Sequence, residues 1–224
     1  MAIPSQNLKS FAFDVYGTLI DTNGVSVLLE ELIGSKSDLF MDTWRSKQLE
    51  YTFRRGLMKT YVDFNVCTHQ ALDYTCEKLG LDLSDDKKRD LLKVYDRLPA
   101  FPDVESGLVN LKNRGCRLFA FSNGKEESVK NLLTTAKVFQ YFDDVISVDA
   151  IKTFKPDPAV YSYLLSRTKS QPSDLWLVSS NPFDVIGAVS FGLPAAWVKR
   201  SPQALFDPWG IEPTVVIESV RELN

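Results

Sequence analysis

From Pro102 onward the chain alternates short, continuously apolar runs with amphipathic segments, and this alternation constrains the fold more than any other feature. "CRLFAFSNG", "DDVISV", "DLWLVSSN" and "PAAWVKR" read as buried strands, and "PTVVI" as a last edge strand. Between them, "DVESGLVNLKNRG", "EESVKNLLTTAKV", "PAVYSYLLSRT" and "DVIGAVSFG" read as helices. Apolar strands separated by helices imply a parallel sheet covered on both faces. A further strand-like stretch runs from Leu8 to Ile20, its apolar run stopping at Asp14 and a turn-like Gly17-Thr18 pair following. From about Asn23 to Leu98 the texture is helical throughout. Ser37 is a candidate N-cap for one long helix and Thr68 for the next, which Gly80 stops. Ser84 opens another helix that closes before Pro99. The expected fold is α/β: a Rossmann-like doubly wound parallel sheet core from residues 1–20 and 99–224, with an inserted helical cap subdomain at residues 21–98. A chain of 224 residues accommodates one domain with such an insertion, or two small ones.

Composition removes several function classes. A formal net charge of -3 gives no electrostatic case for nucleic acid or an anionic membrane. "MAIPSQNLKS" lacks the apolar region of a signal peptide, and no apolar run approaches the width of a bilayer. Cys67, Cys76 and Cys116 cannot all pair and form no CxxC, so reduced thiols in a cytoplasmic protein are expected. The one histidine, His69, reads as a surface residue near a helix start. That leaves a cysteine nucleophile without its usual partner and excludes a His-rich zinc site. There is no GxSxG elbow for a serine hydrolase. Acid–base chemistry therefore falls to carboxylates, lysine or tyrosine.

Polar residues recur where the apolar runs stop. Asp14 follows "FAF", Ser122 and Asn123 follow "LFAF", Lys155 follows "VDAIKTF", and Ser179, Ser180 and Asn181 follow "LWLV", with Asp184 opening the next helix. Taken singly, each is explained by a turn, a cap or a solvated side chain. Taken together they belong to one crevice, because open α/β sheets bind ligands at the carboxyl ends of their strands.

That order of residues resembles the haloacid dehalogenase superfamily, over essentially the whole chain. The superfamily signature is a nucleophilic Asp after the first strand, Ser or Thr after the second, a Lys, and acidic residues in the last loop. Its magnesium-dependent phosphatases carry DxD in the first loop, whereas this chain has Asp14-Val15-Tyr16. The last loop, "SSNPFD", keeps Asp184 without the partner that usually helps hold Mg²⁺. "FDVYGTL", "WRSKQLEY", "FSNG", "KPDPAVY" and "SSNPFD" are together similar to the L-2-haloacid dehalogenases.

The resemblance implies hydrolytic dehalogenation of L-2-haloacids to D-2-hydroxy acids plus halide, with no metal and no cofactor. Asp14 would attack C2, invert it and form an ester. Thr18 would orient the Asp14 carboxylate, and Lys155 would favour its charge. The backbone N–H groups of Val15 and Tyr16, with Ser122, would hold the substrate carboxylate. Arg45, which shares a helix face with Leu49 and Phe53 by four-residue spacing, would accept the halide together with Asn123. Leu49, Phe64 and Phe183 would line the apolar pocket. Many family members carry Trp where this chain has Phe183, which leaves the size and shape of that pocket open. Asp184 would be the base for ester hydrolysis, with Ser179 and Asn181 orienting the water. Tyr161 would hydrogen-bond the lysine or the nucleophile. Homodimerisation follows by family analogy, with a small haloacid and halide as the partners, while the thiols, charge and hydropathy give the expected cytoplasmic location with no nucleic acid or membrane. The competing expectations are a magnesium-dependent phosphatase of the same fold, a dehalogenase preferring haloacetates, fluoroacetate included, and a binding module without activity.

Overall fold

A computed structural model describes residues 10–223. Leu8 and Lys9, the start of the predicted first strand, lie outside the described residues, as does most of the stretch read for a signal peptide. The sheet contains β1 (Ser10–Phe13), β2 (Arg117–Ser122), β3 (Asp144–Ser147), β4 (Leu175–Ser179), β5 (Ala195–Val198) and β6 (Val215–Ile217). The order is β3-β2-β1-β4-β5-β6 and every pairing is parallel. The chain steps outward through β2 and β3, then returns to the other side of β1 at β4. Strand order therefore reverses between β1 and β4, which is where such sheets open a crevice for ligands.

Successive residues of β1 serve opposite faces, as strand geometry requires. Phe11 and Phe13 pack with Leu108 of α5 (Val104–Asn113) and with Val129 and Leu132 of α6 (Glu126–Thr135). Ala12 packs on the other face with Val160 and Leu164 of α7 (Pro158–Thr168) and with Val185 and Ala188 of α8 (Pro182–Phe191). Each Phe side chain buried this way contributes roughly 1.5–3 kcal/mol. The expected α/β sheet with helices on both faces is what the chain adopts.

Between β1 and β2 lie α1 (Ser26–Ile33), α2 (Ser37–Met58), α3 (Phe64–Leu79) and α4 (Asp85–Val94). The apolar cluster under Phe11 and Phe13 continues into them through Leu29, Phe40, Trp44, Leu72 and Leu91. On α2 the buried stripe is Ser37, Phe40, Trp44, Gln48 and Thr52. Arg45, Leu49 and Phe53 run beside that stripe and are half-buried. Among the described residues no helix is long and apolar enough to cross a membrane.

Three local expectations are corrected. The first strand ends at Phe13, not near Ile20, because the Val15 carbonyl accepts the N–H groups of Thr18, Leu19 and Ile20 at 3.3, 2.9 and 3.0 Å. A φ of 80° at Gly17 lets that turn close. Ser37 does not cap α2, since a 3-10 turn at Gly34–Lys36 leads straight into the helix. Thr68 does not cap α3 either. Asp63 does, accepting the Val66 N–H at 3.1 Å, and Thr68 lies inside the helix with its hydroxyl on the Phe64 carbonyl.

Helix α8 approaches α7 closely at Gly187. A Cβ there would meet the Tyr161 hydroxyl and would lie 2.6 Å from Pro156 Cβ. Gly187→Ala should therefore force α8 away from Tyr161 and cost about 1–3 kcal/mol. Chemical denaturation followed by circular dichroism checks this, and an unchanged midpoint would show that the contact yields freely.

Candidate active site

Asp14 stands one residue past β1, its own N–H still donating to the Val178 carbonyl at 2.9 Å. Four donors converge on its carboxylate. Oδ2 accepts from Asn181 Nδ2 at 2.7 Å, Thr18 Oγ1 at 2.8 Å and Ser179 Oγ at 3.4 Å. Oδ1 accepts from Lys155 Nζ alone, at 3.2 Å. The carboxylate is thus fixed through one oxygen, while the other keeps lone-pair capacity.

Lys155 lies between two carboxylates. Besides Asp14, its ammonium donates to Asp184 Oδ2 at 2.8 Å and to the Phe121 carbonyl at 2.8 Å, so all three of its donors are used. Lys155 is 1% exposed and Asp184 is fully buried. Burial opposes the lysine charge, but Asp14 and Asp184 outweigh it and hold its pKa above the ordinary lysine range. Burial raises the Asp184 pKa as well, with Lys155 opposing that rise.

Tyr161 differs from its expectation. Its hydroxyl donates to neither Lys155 nor Asp14 but meets Asp184, at 2.9 Å from Oδ1 and 3.0 Å from the backbone carbonyl. Burial lifts its phenol pKa well above the ordinary value, which keeps it a neutral donor. Asp184 is the third residue of α8, after the cap position at Asn181, and points inward between Tyr161 and Lys155.

The other expected residues divide into two groups. Thr18, Ser179 and Asn181 surround Asp14, as above. Arg45 reaches over from α2, and its Nη2 donates to Asn181 Oδ1 at 3.2 Å. That joins the guanidinium to Asp14 through a single side chain. Among the described hydrogen bonds, the N–H groups of Val15 and Tyr16 have no protein acceptor. Ser122 is buried and accepts the Gly124 N–H at 3.1 Å. Asn123 Oδ1 accepts the Lys155 N–H at 3.0 Å. Phe64 and Tyr16, with ring centroids 6.0 Å apart, line a cavity of about 490 Å³ together with Gln48, Thr68 and Tyr95. Phe183 packs edge-on against Phe53 at 5.1 Å and lines a second cavity of about 690 Å³, which Phe64 does not reach. Leu49 is half-buried on α2 and lines neither cavity.

Three residues outside the expected set brace the site. Ser180 donates its hydroxyl to the Gly17 carbonyl at 2.7 Å and its N–H to Thr18 Oγ1 at 2.8 Å. Arg200, just past β5, donates to the Thr18 carbonyl through Nε at 3.1 Å and Nη2 at 2.6 Å, and pairs with Asp103 at 2.7 Å. Gln48 accepts from Arg45 Nη1 at 2.7 Å. Only Ser180 carried a signal in the sequence, its place at a strand end. The cysteines are all buried, and burial pushes each thiol up, away from the thiolate. Among the described residues no group of three or more His, Cys, Asp or Glu side chains is placed to hold a metal ion.

This arrangement can deliver an oxygen nucleophile, hold an anion at turn amides and receive a second anion at a guanidinium. The chain matches the family model of haloacid dehalogenase-like hydrolases over residues 8–192. It is 37% identical to the (S)-2-haloacid dehalogenase of Pseudomonas fluorescens, over 98% of this chain and 96% of that protein. It is 36% identical to haloacetate dehalogenase H-2 of Moraxella sp. (strain B), over 95% of this chain and 94% of that one. The solved structure of L-2-haloacid dehalogenase from Xanthobacter autotrophicus with chloropropionic acid covalently bound superposes with a TM-score of 0.89, at 32% identity and 96% coverage of both chains. With the sheet order, the Asp14 loop and these matches in agreement, the chain belongs to the haloacid dehalogenase-like hydrolase family.

Proposed function

We propose that this protein is a hydrolase acting on carbon–halogen bonds, converting L-2-haloalkanoic acids to D-2-hydroxy acids and halide. The observation that carries the reading is Asp14, fixed through Oδ2 and opposed by Lys155 at Oδ1, with Tyr16 where a phosphatase would place a second carboxylate. A halide leaves unprotonated, so its departure needs no acid at that position.

Asp14 Oδ1, the less engaged oxygen, attacks C2 from the side opposite the halogen. The C–halogen bond breaks as the O–C bond forms, the halide takes the electron pair, and C2 inverts. The Val15 and Tyr16 N–H groups and Ser122 hold the substrate carboxylate, and Arg45 with Asn123 receives the halide. In the ester, Asp14 Oδ2 becomes the carbonyl oxygen. Thr18, Ser179 and Asn181 already surround it at 2.7–3.4 Å and stabilise the oxyanion that forms when water attacks the Asp14 carbonyl carbon. Asp184 takes the proton of that water and passes it to the departing hydroxyl. Its raised pKa makes it a stronger base than an ordinary carboxylate. The oxygen from water remains on Asp14, and C2 is untouched in this step.

The direct test is halide release from L- and D-2-chloropropanoate in the presence of EDTA. Release from the L isomer alone is expected, with activity abolished in Asp14→Asn. Release that stops with EDTA and returns with Mg²⁺ would overturn the reading in favour of metal-dependent chemistry. Chloroacetate belongs in the same assay, because one relative at 36% identity is named for haloacetates.

Asp184→Asn should slow ester breakdown by a factor of about 10²–10⁴. Covalent adduct on Asp14 should then accumulate, visible by intact-protein mass spectrometry. A variant turning over at full speed would remove Asp184 from the role of base.

The pH dependence follows from the two shifted groups. Asp184 acts deprotonated and its pKa is raised, so kcat falls as pH drops through a value above the ordinary aspartate pKa of about 3.9. Lys155 acts protonated and its pKa is also raised, so the alkaline limb lies above about 10.4. A kcat profile read by halide release should be flat between them, and an alkaline limb near neutrality would contradict the Lys155 assignment.

A further inference from the structure

Arg45 is held from two sides, and the second side lies entirely within the inserted helices. Its Nη2 meets Asn181, while its Nη1 donates to Gln48 Oε1 at 2.7 Å, one turn along α2. Gln48 Nε2 donates to Thr68 Oγ1 at 2.6 Å, and Thr68 Oγ1 donates to the Phe64 carbonyl at 2.9 Å. The Trp44 indole N–H closes the same corner on the Thr68 carbonyl at 2.9 Å. Gln48 is 2% exposed and Thr68 is 5% exposed.

The chain of bonds has one possible direction. A guanidinium only donates, so Gln48 must turn its carbonyl oxygen toward Arg45 and its NH₂ toward Thr68. Thr68 spends its proton on the Phe64 carbonyl and therefore accepts from Gln48. Flipping the amide would set donor against donor at Arg45 and would leave buried groups unpaired, which is costly. The amide is thus locked by α3, and it locks the guanidinium in turn. Two of the five guanidinium N–H donors are committed to Gln48 and Asn181, and three are left for an anion.

We propose that Gln48 is a positioning residue that fixes the Arg45 guanidinium in its halide-receiving orientation, with Thr68 as its anchor. The inference rests on the reading of Arg45 as the halide acceptor. An arginine side chain has several rotatable bonds, and one ordered before the reaction loses little freedom when the halide departs onto it. Gln48 and Thr68 also line the 490 Å³ cavity beside Tyr16 and Phe64.

The test is product inhibition by bromide, which reads the acceptor directly and which loss of helix packing alone would not selectively weaken. Gln48→Glu keeps size and shape but pairs a carboxylate with Arg45 in competition with the halide. Bromide inhibition should weaken tenfold or more, and kcat/KM should fall further for 2-chloropropanoate than for 2-iodopropanoate, whose leaving group needs less help. Thr68→Val removes the anchor without touching Arg45 and should weaken bromide inhibition in the same direction, while Thr68→Ser restores it to within twofold of wild type. Wild-type bromide inhibition in both Gln48→Glu and Thr68→Val would overturn the proposal. Equal loss in Thr68→Ser and Thr68→Val would overturn it too, because the hydroxyl would then not matter. Arg45→Gln separates this from the underlying reading: if it weakens bromide inhibition and Gln48→Glu does not, only the role of Gln48 falls. If Arg45→Gln leaves bromide inhibition intact, the halide-acceptor reading falls with it.

Discussion

A buried ammonium between two carboxylates is the interaction on which the rest of this structure depends. Lys155 Nζ lies 3.2 Å from Asp14 and 2.8 Å from Asp184, and the backbone carbonyl of Phe121 takes its third proton. None of these charges would be tolerated there alone. Removing one partner from a buried ion pair costs about 3–5 kcal/mol in general, because the remaining charge is left uncompensated. With the lysine present, two acidic groups share one crevice in fixed and different settings. Asp14 is held at the mouth of β1, and Asp184, on the first turn of α8, is buried against Tyr161. Under the proposed mechanism those settings are two roles: one carboxylate makes the bond to carbon, and the other moves a proton.

The surrounding structure reads as support for that pair. The β1–β4 switch point brings Asp14 and the Ser179-Ser180-Asn181 turn together from positions about 165 residues apart. Ser180 and Arg200 hold the Gly17-Thr18 turn, and Thr18 holds the Asp14 carboxylate. Gly187 lets α8 come near enough for Tyr161 to reach Asp184. On the opposite side the inserted helices supply Arg45 and Phe64 and are tied to the sheet loops by Lys125–Asp63 at 2.9 Å and Tyr61–Asp149 at 2.6 Å.

How far this could be read from the amino-acid sequence depended on whether a signal was local. Continuous apolar strands and the polar residues ending them are local, so the sheet, Asp14, Lys155 and Asp184 were all visible. Ser84 caps α4 as its sequence position suggests. A Thr ahead of an apolar repeat looks like a cap at Thr68, but Asp63, also a capping residue type, starts the helix five residues earlier. Tyr161 meets Asp184 and not Lys155 or Asp14, since which of three neighbouring polar groups a hydroxyl meets is decided by packing. Arg200 to Thr18 and Gln48 to Thr68 were invisible: those pairs are 182 and 20 residues apart, and no pattern in the chain connects them.

Under the proposed mechanism the oxygen delivered to carbon comes from Asp14 and not from water. A single turnover of L-2-chloropropanoate in ¹⁸O water, with enzyme in excess, tests it most directly. The first product should be free of label, with ¹⁸O appearing in the Asp14 carboxylate by peptide mass mapping. Labelled product from that first turnover, with an unlabelled Asp14, would contradict it and point to direct attack by water.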